Sequence, residues 1–561
     1  MELKKLVANK IAEILDKDSS EIEKSIEKSP NLEMGDFSFP CFRLAKEFRK
    51  SPQDIASDIK DKLVADEIEK VEVVSGYVNI FIKKDLYAQS VIEEIETKQD
   101  KYGSENVGDG KKALIEHTSI NPNASPHIGR ARNALIGDSI VKLLKFNNYE
   151  VETHYFVNDI GKQISMLLVG TKGKDNVTFD ELLQLYIDIN REVKENKELE
   201  QEVFENLNKL ENGDEETIKS FRNIVQICID GQRKIFAELG IHYDYFDYES
   251  DFILNGTVNE ILKKLEETGK LFEAEDGRLA INQEEYKIPM KSPVLVVTRA
   301  DKTSLYPLRD IAYSIYKANR NADKNIIILG EDQKLYFKQI SAVLDLLGYQ
   351  APQAVHYSFV LLPDGKMSTR NGTVVLLEDF MKEILEKTKQ ELAKRNNGEI
   401  DEEKAKKIAY GAVKYTILKG SLEKNVIFDL EKSLSFDGDT SLYIQYNYAR
   451  INSILNKANF EKMEKLTRFD LLKEPAEIEL IQKLEEFKTI VSKVTEKLTP
   501  NLIANYVYEL TKMFSSYYHD YSILNAETEE LKNMRLQLIN AIGIVTKTSL
   551  NLLGIDTVDE I

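Results

Sequence analysis

Cysteine is scarce. Cys41 and Cys228 are the only two in 561 residues, and they lie far apart. That count and spacing exclude a disulfide framework or a cysteine-rich zinc site and leave two reduced, structural thiols. The six histidines are scattered, without metal-ligand spacing. No apolar run approaches the ~20 residues needed to cross a bilayer. The first residues lack the charged stub and apolar stretch of a secretory signal. Leu3, Leu6, Val7, Ile11, Ile14 and Leu15 instead trace an amphipathic helix. These absences set the expectation of a cytoplasmic protein with no membrane partner. Positive charge is also in deficit, at a net −19, which argues against general polyanion binding. The deficit is uneven. Between Lys111 and Glu150 stand six basic residues (Lys111, Lys112, Arg130, Arg132, Lys142, Lys145) and three acidic ones, a net +3. That leaves room for a local basic face on a molecule whose overall charge discourages non-specific adhesion.

What is present is 42% hydrophobic and 30% charged, the balance of a globular chain too long for one core. Residues 1 to about 100 read as a small α+β unit: a helix, then Gly35-Asp36-Phe37, a helical stretch from Ser51 to Ile59, and a strand from Gly76 to Ile82. Lys98 to Lys111 is polar and glycine-containing, a linker. From about 111 to 390 short apolar strands alternate with helices, which indicates a Rossmann-type doubly wound parallel sheet. Its expected strands are Ala113–Glu116, Val294–Val297, Ile326–Leu329 and Thr373–Leu376. A helical insertion over about 170–290 divides the sheet, its charge run read most simply as a solvated face. From about 400 to 561 the pattern is an all-α helical bundle rich in tyrosine.

Two segments, 239 positions apart, carry the chemistry. The first is Asn121-Pro122-Asn123-Ala124-Ser125-Pro126-His127-Ile128-Gly129-Arg130, a strand-to-helix turn. Its helix N-terminus offers N–H groups and a positive dipole end to phosphates. Gly129 leaves the backbone open to a flat adenine or ribose. His127 can donate to a phosphate oxygen. The second is Asp364-Gly365-Lys366-Met367-Ser368-Thr369-Arg370-Asn371-Gly372, a basic loop whose Lys366 could hold charge developing on pyrophosphate. A site of that kind activates a carboxylate with ATP. Either motif alone is weak; their order and context give them force.

Here the chain resembles the class I aminoacyl-tRNA synthetases. His127-Ile128-Gly129-Arg130 is similar to the His-Ile-Gly-His signature, and Lys366-Met367-Ser368-Thr369-Arg370 to the Lys-Met-Ser-Lys-Ser loop. The finer resemblance, over essentially the whole chain, is to the arginyl-tRNA synthetase family. It is carried by Phe156 to Gln163, by Tyr306-Pro307-Leu308-Arg309-Asp310-Ile311-Ala312-Tyr313, by Ser435 to Thr440 leading into Tyr443 to Arg450, and by residues 1 to 100. Two departures stand out. Arg130 replaces the second histidine, and Thr369 replaces the loop's second lysine, with Arg370 beside it. Which of Arg130, Arg370 and Lys366 meets the pyrophosphate stays open.

The resemblance implies ATP-dependent activation of L-arginine to arginyl-adenylate and its transfer to the terminal ribose of its tRNA. Magnesium would accompany ATP, with no dedicated protein metal site and no prosthetic group. The chemistry would rest on His127, Gly129, Arg130, Lys366 and Ser368, with ATP also against Pro126 and Met367. A guanidinium is a planar, permanent cation with five donors, so its site needs carboxylates and amides that meet its fork. By resemblance Ser119 and Asn121 hold the amino-acid end, Asp310 and Glu116 take charged groups, and Tyr306 and Gln333 line the pocket. The alternative reading of Asp310 is an ion pair with Arg309 or a helix cap, and that of Glu116 an ordinary strand-end carboxylate. For the anticodon, Tyr443, Tyr446 and Arg450 share one helical face, with Tyr518 in addition; each tyrosine is otherwise a half-buried core residue. Asn79 resembles a residue that meets the tRNA elbow. A monomer is the family's usual state. The rival expectations are another class I synthetase, a nucleotidyl-transferase sharing the sheet, and a tRNA-binding paralogue without catalysis.

Overall fold

The computed structural model describes residues 2–29, 34–123, 125–174, 176–362, 365–366, 375–395 and 401–561. The amphipathic N-terminal stretch is a helix, Glu2–Leu15, with Val7, Ala8 and Ile11 completely buried. It packs with a four-stranded sheet of β1 (Glu27–Lys28), β2 (Phe37–Pro40), β3 (Ile68–Val74) and β4 (Tyr77–Ile82), in the order β1-β2-β4-β3. The helix Pro52–Lys62 begins where Ser51 Oγ accepts from the Asp54 amide at 3.1 Å and proline supplies the first turn. Ser75 and Gly76 both hold positive φ, 49° and 83°, the geometry a two-residue hairpin needs between β3 and β4.

The central sheet is parallel throughout. It contains β5 (Lys112–Glu116), β6 (Glu150–Val157), β7 (Tyr245–Tyr248), β11 (Lys324–Gly330) and β12 (Gln353–Tyr357), in the order β12-β11-β5-β6-β7. Strand β5 lies in the middle, covered on both faces, so Ala113, Leu114 and Ile115 form an unbroken buried run. The chain leaves β5 toward β6 on one side and returns as β11 on the other. A crevice therefore opens at the carboxyl ends of β5 and β11, where such sheets bind ligands.

Two expectations need correcting here. Val294–Val297 is not a strand of the parallel sheet. Val294–Val296 forms β10, an edge of a separate antiparallel sheet with β8 (Leu271–Glu273) and β9 (Leu279–Asn282), in which Leu295 alone of the three is buried. A short apolar run does not specify which sheet receives it. Nor is 170–290 one insertion. Four helices (Lys162–Gly170, Phe179–Glu195, Lys197–Glu211, Glu215–Glu238) leave the sheet, and the chain rejoins it as β7. Tyr245-Phe246-Asp247-Tyr248 hides its strand character behind a carboxylate. Asp247 is satisfied by His154 Nδ1 at 2.7 Å and by the Tyr313 hydroxyl, which donates to it at 2.9 Å. Of the expected strand Thr373–Leu376, Thr373 and Val374 lie outside the described residues.

After the sheet come β13 (Val360–Leu362) and β14 (Gly365–Lys366), then helices Leu377–Arg395 and Glu402–Leu418. The helical bundle beyond 400 holds one exception, β15 (Val426–Ile427), which pairs with β13. Helices Ser441–Lys457, Pro475–Lys497, Asn501–Asp520 and Glu529–Leu552 complete the chain. The last of these reaches the catalytic unit, where Ser139 Oγ donates to the Leu552 carbonyl at 2.8 Å. Among the described residues no helix is long and apolar enough to cross a membrane.

Candidate active site

The crevice is built from a strained strand end. After β5 the backbone takes positive φ at Thr118 (72°) and Ser119 (42°), both uncommon for residues with side chains. The surroundings hold the turn in place. The Thr118 amide donates to Asn133 Oδ1 at 2.5 Å, Tyr243 donates to Thr118 Oγ1 at 2.8 Å, and Ser119 Oγ accepts from the Phe156 amide at 3.1 Å. Asn121 follows, exposed, its amide donating to Gln163 Oε1 at 3.3 Å. Pro126 is buried, and the signature helix Ile128–Phe146 starts with His127 in the capping position. The imidazole does not cap the helix, and its buried Nδ1 has no partner among the described residues. Burial, with Arg130 beside it, holds the ring's pKa down to about 4, so it is neutral at pH 7. A Cβ on Gly129 would stand 2.9 Å from two atoms of that ring. Glycine therefore keeps the imidazole flat against the helix start. Arg130 is exposed in the first turn, where a cation opposes the helix dipole, so helix stability does not account for it.

The second segment flanks the first. Lys366 lies in β14, paired with Leu361 of β13. Met367, Ser368, Thr369 and Arg370 lie outside the described residues. Where the chain is next described, Leu376 bridges His127, the Val375 carbonyl accepts from the Ile128 amide at 3.1 Å, and the Leu377 amide donates to the Pro126 carbonyl at 2.8 Å. The approach to β13 is tied to the same helix by Arg132, which is completely buried. Its guanidinium donates to the carbonyls of Ser358 (2.6 Å), Lys424 (2.8 Å) and Ser421 (2.9 Å). Arg132 thus contributes nothing to a basic face, and Lys142 is paired with Asp138. The +3 of this stretch is partly spent inside the protein.

Beside the crevice, helix Tyr306–Ala318 brings Tyr306 and Asp310 one turn apart, as their i, i+4 spacing requires. The Tyr306 and Tyr336 rings lie 5.3 Å apart, and the Tyr336 hydroxyl donates to Asp310. Burial pushes the Asp310 carboxyl up to about 6. Asp310 is neither a cap, a position held by Leu305, nor a partner of Arg309. Arg309 turns the other way, onto Glu249. Glu116 is paired with Lys317, and Ser119 Oγ donates to its other oxygen at 3.2 Å. Gln333 is exposed at the start of the helix that carries Tyr336. Glu249 was missed in the sequence. It directly follows β7, its Oε2 has no partner among the described residues, and burial pushes its carboxyl up to about 7. The signal was a carboxylate at a strand's carboxyl end, but β7 had itself gone unrecognised.

In the helical unit, the Arg450 guanidinium lies 4.8 Å from the Tyr446 ring centre and 5.2 Å from that of Tyr518. A cleft of about 1060 Å³ opens here, lined by Tyr443, Arg450, Lys512, Tyr518, His519 and Tyr521 among others. Tyr415, Tyr506 and Tyr517 are core residues. Asn79 is 4% exposed, and its amide oxygen accepts from Ser38 Oγ at 2.6 Å within the N-terminal sheet. It lies on the face of β4 opposite to the core residues Val78, Ile80 and Ile82, together with Tyr77 and Phe81.

Three family models together cover nearly the whole chain: the arginyl tRNA synthetase N-terminal domain over residues 1–82, the catalytic domain of class I tRNA synthetases (R) over 91–430, and the DALR anticodon binding domain over 444–561. The chain belongs to the arginyl-tRNA synthetase family. Similar relatives are the arginine–tRNA ligases of Methanocaldococcus jannaschii, 37% identical with 99% of each chain covered, and of Clostridium perfringens, 37% identical with 100% of each covered. Among solved structures, Thermus thermophilus arginyl-tRNA synthetase matches with a TM-score of 0.79 and 25% identity over all of both chains. A Mycobacterium tuberculosis methionyl-tRNA synthetase, at a TM-score of 0.53 and 11% identity over 79% of this chain and 91% of that one, shares the fold. Among the described residues no three His, Cys, Asp or Glu groups gather around a metal position.

Proposed function

We propose that ATP and L-arginine meet in the crevice at the ends of β5 and β11, and that this chain joins arginine to its tRNA there. ATP lies over Gly129 and Pro126 with its phosphates toward His127 and the signature-helix N-terminus. The arginine carboxylate attacks the α-phosphorus, and pyrophosphate leaves toward Lys366, Arg130 or Arg370. That step needs positioning and charge stabilisation and no proton transfer, which suits a neutral His127 that offers hydrogen bonds only. Ser119 and Asn121 hold the amino-acid end, while Asp310, Tyr306 and Gln333 receive the side chain. The adenylate then passes to the terminal ribose of tRNA, whose anticodon bases stack in the cleft of Tyr443, Tyr446, Arg450 and Tyr518. Magnesium arrives with ATP, and the enzyme works as a cytoplasmic monomer.

The observation that carries this assignment is Asp310, a pocket carboxylate with no cationic partner among the described residues, beside two carboxylates that each have one. A guanidinium completes the set. Lysine and citrulline leave fork acceptors or the charge unmet, so no editing site is required. ATP–pyrophosphate exchange in the presence of tRNA, with arginine, lysine and citrulline in turn, tests it. Arginine should support exchange, and the other two should fall below it by roughly 10⁴-fold in kcat/KM, the discrimination typical of sites built around hydrogen bonds. Lysine within tenfold of arginine contradicts the assignment.

A further inference from the structure

Beneath the acidic pocket lie two cations that the reaction itself does not require. Lys317 is completely buried on the same helix as Asp310, two turns further on, and its ammonium sits on Glu116. Arg309 sits on Glu249 in the same way. Buried ion pairs are poor devices for stability, because desolvation consumes most of the attraction and an apolar pair of the same shape often does as well. A lysine held entirely out of water under a substrate pocket therefore has another use. When all three carboxylates are ionised, the two cations leave the pocket with one uncompensated negative charge. L-arginine brings a net +1.

We propose that Lys317 is a positioning and specificity-determining residue: by occupying Glu116 it leaves Asp310 as the one carboxylate open to the substrate and sets the pocket for a ligand of net charge +1. This rests on the arginine pocket proposed above and adds the residue that fixes its charge. The three groups feel one another. Glu116 pushes the Asp310 carboxyl up, and Lys317 pulls it down. Glu116 is faced by Lys317, Tyr313 and Asp310 from the pocket helix, by Ser119 from its own strand end, and by His154 across the register of β6, while β11 presents Ile327. Tyr313 and His154 are both committed to Asp247 behind the pocket, at 2.9 and 2.7 Å. The Lys317 ammonium lies 4.4 Å from the Tyr313 ring centre, and its side chain has no exposed surface by which to swing away.

The experiment compares full-length wild type, Lys317→Met, and the double variant Lys317→Met/Glu116→Gln. It measures the KM of arginine in exchange and the inhibition constant of agmatine, which keeps the guanidinium and amine, lacks the carboxylate, and carries +2. In Lys317→Met the unpaired Glu116 adds negative charge, so preference for agmatine over arginine should rise about tenfold, the change that one pKa unit of interaction represents. In the double variant the added charge is gone, and the preference should return to that of wild type. A purely structural lysine would weaken both ligands alike. An agmatine preference within twofold of wild type in Lys317→Met, or a double variant no closer to wild type than the single one, overturns the proposal. If Lys317→Met does not fold, the double variant decides alone: a wild-type preference supports the proposal, and a tenfold departure overturns it. Arginine binding that survives Asp310→Ala would instead indict the pocket itself.

Discussion

At the scale of single residues, several buried polar groups of the candidate site lack partners among the described residues. His127 Nδ1 and Glu249 Oε2 have no hydrogen bond there, and Asp310 has a hydroxyl donor but no cation. Such atoms are costly unless a ligand completes them. Gly129→Ala tests the nucleotide side. Its Cβ would press on the His127 ring, so the ATP KM should rise about tenfold, as for a modest overpacking of 1–2 kcal/mol, while the arginine KM stays within threefold. An unchanged ATP KM would mean that the ring moves away freely. The acidic side has a pH signature. The Asp310 carboxyl titrates near 6 and Glu249 near 7, both above the ordinary carboxylate range because burial disfavours the charged form. A raised folded-state pKa favours folding while the group is protonated, and that contribution is lost as pH rises through 6 to 7. Over the same window the pocket gains negative charge. Arginine KM should therefore fall from pH 5.5 to 7.5, with Asp310→Asn losing the lower step, as steady-state exchange across that range would show.

At the scale of elements, the helix Ile128–Phe146 is a junction between distant parts of the chain. Its start is bonded to the chain at 375–377, and Arg132 binds carbonyls both from the approach to β13 and from residues 421–424. Among the described residues no carboxylate pairs with this guanidinium, and burial lowers its pKa to about 10. Arg132→Met should strip three carbonyls of their donor and cost ~3 kcal/mol or more, read by urea unfolding of the full chain. A cost under 1 kcal/mol would mean that water replaces it. This is also where the sequence was hardest to read. The two motifs could be picked out because each is a short run of fixed order, and the family they point to is the one the relatives show. Arg132 carried no such mark and looked like one more surface cation. Lys317 and Glu249 were illegible for a different reason. Lys317 meets a partner 201 positions away and Arg309 meets Glu249 60 positions away, distances at which side-chain pairing leaves no local pattern. Strand β7 escaped because Asp247 breaks the apolar run that marks its neighbours.

At the scale of the whole molecule, the parallel sheet, the N-terminal sheet and the helical bundle were foreseeable from changes in residue periodicity along the chain. Their contacts were not. The bundle's last helix runs from its own core to the signature helix, so RNA-binding and catalytic units share an interface. Function should nonetheless separate by unit. Arg450→Ala removes the cation between Tyr446 and Tyr518 and should weaken tRNA binding by ~1–3 kcal/mol, as for loss of a stacking platform, with arginine KM unchanged. Filter binding of tRNA alongside exchange kinetics would show it. A shifted arginine KM with intact tRNA affinity would argue that the cleft does not hold RNA.

The most direct measurement is the arginine KM of Asp310→Ala in tRNA-dependent exchange. Truncating one side of a buried charge pair should cost roughly 2–5 kcal/mol, a rise of about 30-fold or more, with the ATP KM little changed. An arginine KM within twofold of wild type would contradict the account, because a guanidinium held in this pocket could not lose its single open carboxylate without consequence.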